Sequence, residues 1–283
     1  MRHLANKTAI ITGASRGIGL AIAKRIAVNG ANVAVLAKTD QPNPKLPGTV
    51  HTAAKAVEDA GGQGLGVVCD IRNEDQVDAA VARVVDQFGG IDILVNNASA
   101  ISLTDTENTP IKRFDLMHSI NQRGTFLMSQ KCVGHLKQAN NPHVLTMAPP
   151  LDLQPEWFAP HVAYSMAKYG MSLCVLGMAA EFADAGIAFN ALWPRTGIAT
   201  AAIDLIGGEQ MRKACRKPEI VADAAYEIFT RDARAFSGHF CIDDHILFDA
   251  GVRDFEAYAV EPGADLWRDL FVPDNDTALP GSV

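Results

Sequence analysis

Tyr164 and Lys168 stand four residues apart in the run Tyr164-Ser-Met-Ala-Lys168. On a helix that spacing stacks both side chains on one face, a turn apart. A nearby cation stabilises a phenolate, so the spacing predicts that Lys168 draws the Tyr164 pKa down from about 10 towards neutrality. A phenol tuned in this way can give a proton to a carbonyl oxygen, or take one from an alcohol, near pH 7. Tyr and Lys also fall four apart on ordinary solvated helix faces. The pair gains meaning only from what the rest of the chain brings to it.

A βαβ unit at the start of the chain brings a nucleotide. Thr8-Ala-Ile-Ile-Thr12 is a continuous apolar run, as in a strand buried on both faces. Gly13-Ala-Ser15-Arg16-Gly17-Ile18-Gly19 follows, then apolar residues at helical spacing until Asn29-Gly30, then a second apolar run over 31–37. A helix N-terminus after such a turn presents free N–H groups and a positive dipole end, which suit a pyrophosphate. Gly13, Gly17 and Gly19 allow the tight turn and the close approach of backbone to ligand. The second strand ends Leu36-Ala37-Lys38-Thr39, without the acid that would bind the ribose 2′-OH of NAD. Lys38 at that end and Arg16 inside the turn suit a 2′-phosphate, so NADP(H) is expected in preference to NAD(H). Lys45 is a further candidate for that phosphate, and Asp40 lies too far along to serve as the NAD acid.

The elements that must position these residues alternate along the chain. Helices are expected over 49–60, 74–88, 111–136 and 162–185, and further strands over 65–69, 91–95, 143–147, 187–192 and 239–242. The fold class is α/β: one doubly wound Rossmann-type domain over residues 1–283, with a parallel sheet of about seven strands and ligand at their carboxyl ends. Residues 38–48 hold three prolines and read as a surface loop at the cofactor end. The tail, 243–283, is acidic and expected to be irregular. Its aromatics Phe248, Phe255, Tyr258, Trp267 and Phe271 would pack it on the domain or on a neighbouring subunit.

Composition narrows the class. Apolar residues make up 48% and charged residues 20% of 283, as in a soluble globular protein. A net charge of −7 gives no sign of nucleic-acid binding. No uninterrupted apolar run is long enough for a membrane span. Five scattered cysteines without a CxxC read as reduced thiols in a cytoplasmic protein, and the histidines show no metal-ligand spacing.

With these residues the chain resembles the short-chain dehydrogenase/reductase family, of the classical type, over nearly its whole length. Thr12-Gly-Ala-Ser-Arg-Gly-Ile-Gly19 is similar to the family's cofactor motif. Asn96-Asn97-Ala98-Ser99 resembles the motif that supports the central sheet and walls the adenine-ribose side. Cys69-Asp70-Ile71 resembles the position whose Asp meets the adenine amino group. Asn121 resembles the catalytic Asn that holds a water behind the Lys, Tyr164 and Lys168 the catalytic pair, and Pro194 with Thr196 the segment near the nicotinamide amide. A narrower similarity, carried by residues 37–48, 97–106, 191–196 and 222–226, is to the hydroxysteroid dehydrogenase-like branch. Members of that branch can carry a sterol-carrier domain after the dehydrogenase, and this sequence stops without one. The resemblance implies hydride transfer between nicotinamide and a carbonyl carbon. Tyr164 would be general acid/base, Lys168 would bind the nicotinamide ribose, and Asn121 would complete a proton relay. A homodimer or homotetramer is also implied, to which two long helices apolar on more than one face would contribute.

One position departs from the family. A Ser is usual after the fifth strand, where this chain reads Thr146-Met147-Ala148-Pro149-Pro150. Losing such a donor typically costs about 10²–10³ in rate. Either Tyr164 donates with help from another group, such as Ser99, or the fold serves as a nucleotide-binding regulatory or scaffold protein with little turnover. The apolar stretch 151–158, with Trp193 and Ile198, would line a pocket for a small apolar alcohol or carbonyl, of terpenoid, fatty or sterol-like character.

Overall fold

The first strand, β1 (Thr8–Thr12), is buried at every position, as an unbroken apolar run requires in a sheet covered on both faces. A computed structural model of the chain describes residues 4–44, 46–273 and 276. β1 pairs in parallel with β2 (Asn32–Ala37) on one side and β4 (Ile93–Asn96) on the other. β3 (Gln63–Val68) extends the sheet beyond β2, while β5 (His143–Thr146), β6 (Ala188–Trp193) and β7 (Phe240–Ile242) extend it beyond β4. The strand order is β3-β2-β1-β4-β5-β6-β7, all parallel, so the winding reverses between β1 and β4. At such a reversal the loops part and leave a crevice at the carboxyl ends of the strands.

Helices cover both faces. On one side α1 (Gly17–Ala27), α2 (Val50–Asp59), α9 (Glu219–Phe229) and α10 (Asp243–Asp249) bury a core through Ile22, Val57, Ile220 and Leu247. On the other, α3 (Glu74–Phe88), α5 (Gln122–Leu136) and α6 (Val162–Glu181) close over Val77, Met128 and Met171. The expected helix over 111–136 is divided: α4 (Ile111–Ile120) ends at Asn121, and α5 starts after it. No Pro or Gly marks the division. It falls where the Asn121 side chain is drawn to the loop after β4. Two short helices not anticipated from the sequence, α7 (Ala201–Ile206) and α8 (Gly208–Lys213), follow β6.

Residues 38–48 form a loop, with one isolated bridge between Asn43 and Leu46; Lys45 lies outside the described residues. The tail is not irregular at its start. Asp243 and Asp244 occupy the first turn of α10, where carboxylates complement the helix dipole, and the Asp244 N–H donates to Asp243 Oδ1 at 2.8 Å. Its described remainder packs on its own domain, with Phe255 in the core beside α1 and Phe271 beside α6. Among the described residues, no helix is long and apolar enough to cross a membrane.

Candidate active site

The glycine turn is built against the end of β4. A Cβ at Gly13, whose φ is +66°, would stand 2.8 Å from Ala98 Cα, and one at Gly19 would stand 2.6 Å from Asn97 Nδ2. Thr12 splices the two segments. Its hydroxyl accepts the N–H groups of Asn97 and Ala98, each at 3.0 Å, and donates to Val95 O at 3.2 Å. Asn97 Nδ2 adds a bond to Thr12 O at 2.8 Å. α1 has no side-chain cap at Arg16, so no side chain takes up its first N–H groups. A cleft of about 430 Å³ opens here, lined by Gly13, Ser15, Arg16, Gly17, Ile18, Lys38, Asp70, Ile71, Asn97, Ala98 and Ser99. Gly19 stands behind this lining, packed on Asn97.

Charge at the far end of the cleft is fixed by the loop. Arg16 Nε donates to Pro47 O and Nη2 to Gly48 O, both at 2.9 Å, and Nη2 also reaches Thr39 Oγ1 at 3.3 Å. These bonds pin the guanidinium beside the end of β2. Asp70 is paired with Arg72, which holds its carboxyl below the usual range, and Lys38 adds to the effect. Asp40 faces α2 instead, 2.7 Å from His51 Nε2. The strand end thus carries cations and no free acid.

Tyr164 and Lys168 lie on the inner face of α6, with only 6% and 2% of their surfaces exposed. Lys168 Nζ donates to Met147 O at 2.6 Å, at the end of β5, and sits 4.8 Å from the Trp193 ring centroid, at the end of β6. No carboxylate among the described residues lies within ion-pair reach of it. Burial lowers its pKa to about 7, against an opposing pull from Asp269. Burial raises the Tyr164 pKa, and Asp269 raises it further. This reverses the expectation that Lys168 draws the phenol towards neutrality: desolvation of the phenolate outweighs an amine that itself loses charge on burial. Asn121 is fully buried, its Oδ1 accepting the Ala100 N–H at 2.8 Å and its Nδ2 donating to Ala100 O at 3.0 Å. Its side chain is therefore spent on holding the loop after β4.

An apolar chamber surrounds the pair. Tyr164 clusters with Met117, Trp193, Phe271 and Val272, bordered by Leu151, Trp157, Phe158 and Ile101. Ile101 also lines the nucleotide cleft, so chamber and cleft are contiguous. Ile198 does not belong to the chamber and packs in the opposite core. Met147 and Ala148 are buried and bring no hydroxyl, and Ser99 is exposed in the cleft. Pro194 and Thr196 are buried just past β6, with Thr196 bridged to Arg268 of the tail.

The residues missed from sequence are those of the tail that return here. Phe271 is wholly buried, its ring centroid 6.0 Å from that of Tyr164 and 5.9 Å from that of Trp193. The aromatics of the tail signalled that it packs. Nothing in their spacing said that it packs on the catalytic helix.

A family model described as short chain dehydrogenase matches residues 7–204. A hydroxysteroid dehydrogenase-like protein 2 from Danio rerio is 57% identical over 269 residues, which are 95% of this chain and 64% of that protein. The chain thus spans about two thirds or less of the length of the first curated relatives it matches. A protein of known structure from Xanthomonas campestris has 60% identity and a TM-score of 0.94, over 96% of this chain and 99% of that one. A short chain dehydrogenase from Mycobacterium thermoresistibile has 54% identity and a TM-score of 0.91, over 95% and 96%.

Proposed function

The chain belongs to the short-chain dehydrogenase family, and on that premise we propose that it is an NADP(H)-preferring oxidoreductase interconverting an apolar alcohol and its carbonyl. The observation that carries the reading is the burial of Tyr164 and Lys168 together at the carboxyl ends of β5 and β6, in a chamber continuous with the nucleotide cleft. The cleft suits a nicotinamide dinucleotide. The uncapped N-terminus of α1 and the glycine turn offer backbone N–H groups to a pyrophosphate. Asp70 and Ile71, with residues 97–99, would wall the adenosine. Arg16 and Lys38 would hold a 2′-phosphate, and Asp40, engaged by His51, offers no competing acid. Pro194 and Thr196 would border the nicotinamide.

The bound nucleotide supplies the hydride. Tyr164 supplies the proton to the carbonyl oxygen in reduction and takes it back in oxidation. Lys168, held by Met147 O, orients towards the nucleotide ribose, and Asn121 fixes the loop after β4 against α4. Trp157, Phe158 and Trp193 favour an apolar substrate. Five free cysteines suit a reducing, cytoplasmic setting. Loss of NADPH absorbance against aliphatic, terpenoid and steroid ketones tests the reading. Turnover of at least one apolar ketone is expected, and none with any of them counts against it.

A further inference from the structure

Residues 267–272 cross the carboxyl end of β6 as a strap. The Trp267 N–H donates to Ala214 O at 2.8 Å, and the Gly197 N–H to Trp267 O at 2.9 Å. The Asp269 N–H donates to Arg195 O at 2.9 Å, and Trp193 Nε1 to Leu270 O at 2.7 Å. Phe271 pins the end of the strap among the rings of Trp157, His161, Tyr164, Tyr169 and Trp193. It does so with a φ of +66°, a left-handed backbone that a bulky residue adopts only when its surroundings hold it there.

Asp269 sits between these anchors. One carboxyl oxygen accepts the Leu270 N–H at 2.8 Å, and among the described residues the group has no ion pair. Capping one N–H needs only a neutral acceptor. A charge placed there gives up hydration that this single bond does not restore. The titratable groups facing it are Lys168 and Tyr164 from α6, Asp243 from α10, and Cys215 from the loop before α9. Lys168 is the cation of that set, and it touches the same indole, Trp193, that bonds the strap.

We propose that Asp269 is a positioning residue of the proton-transfer site, the counter-charge by which the strap keeps Lys168 an ammonium and Tyr164 a neutral phenol. That is the proton-loaded state needed to reduce a carbonyl, so the inference rests on the oxidoreductase reading of the pair. Burial alone strips the proton from Lys168, and a carboxylate in the same chamber restores it while opposing a phenolate. Burial also pushes Asp269 up to about 7, so it gains its charge through the same pH range in which Lys168 loses its own. The two titrate as a coupled pair.

The test is side-chain NMR of nucleotide-free protein carrying isotope-labelled lysine, with the Lys168 signal identified by its loss in Lys168→Met. A native midpoint near 7 is expected. Asp269→Asn, which keeps an oxygen for the Leu270 N–H, moves it down by about one unit, a tenfold change in acid dissociation constant. Asp269→Ser does the same should the amide disturb the strap, and Asp269→Glu returns the midpoint towards the native value. In turnover, the alkaline limb of kcat for carbonyl reduction moves to lower pH in the charge-free variants. An unchanged Lys168 midpoint in both overturns the proposal, with or without turnover. A shifted midpoint without turnover on any carbonyl supports it and counts instead against the oxidoreductase reading.

Discussion

A phenolate in an apolar chamber has lost its water, and only a nearby charge can replace what the water supplied. Tyr164 meets that problem beside Lys168, which burial also discharges, and beside Asp269, whose sign is wrong for a phenolate. The cofactor-free pair therefore holds its phenol proton firmly, as a donor to a carbonyl must before reaction. The same residue-by-residue logic applies to the nucleotide. Arg16 is held by the carbonyls of residues 46–48 beside the end of β2, and Lys38 lines the same cleft. Removing either cation by Arg16→Ala or Lys38→Ala should weaken NADP⁺ binding by about tenfold to a hundredfold, the worth of one charge-assisted bond. NAD⁺ binding should hardly change. Calorimetric titration of both nucleotides checks this, and equal losses for the two would argue against a 2′-phosphate site.

At the scale of elements, the glycine turn owes its composition to packing as much as to any ligand. A side chain at Gly13 meets backbone at 2.8 Å and must also adopt a left-handed φ. Gly13→Ala should therefore cost about 2–4 kcal/mol of stability, from the conformational penalty and the overpacking together. Thermal unfolding without nucleotide measures it, and an unchanged Tm would mean that the turn tolerates a Cβ. The turn, the strands and the inner face of α6 were legible because each depends on local pattern: an apolar run, glycines at fixed spacing, two side chains one turn apart. The break at Asn121 was not, because its cause is the carbonyl and N–H of Ala100, distant in sequence. The strap was not legible for the same reason, since Phe271 finds Tyr164 across more than a hundred residues. The direction of the Tyr164 shift was misread because spacing reports neighbours on one helix and says nothing of burial.

The whole molecule keeps a further apolar surface. Phe126 on α5 and Met166, Leu173 and Leu176 on α6 are each 46–58% exposed, on the pair of helices whose inner faces build the catalytic core. Members of this family generally associate into oligomers, and these side chains offer the apolar centre that such an interface needs. Leu173→Glu with Leu176→Glu should reduce a native dimer or tetramer to a smaller species by light scattering, since two carboxylates would be buried without partners. An unchanged mass would place the interface elsewhere.

The most direct test of the central claim sets Tyr164→Phe beside the native protein on a ketone that the native protein reduces. Removing the phenolic proton should lower kcat by about 10²–10⁴ with NADP⁺ binding intact. Full turnover in the Phe variant would contradict the role of Tyr164 as the proton donor.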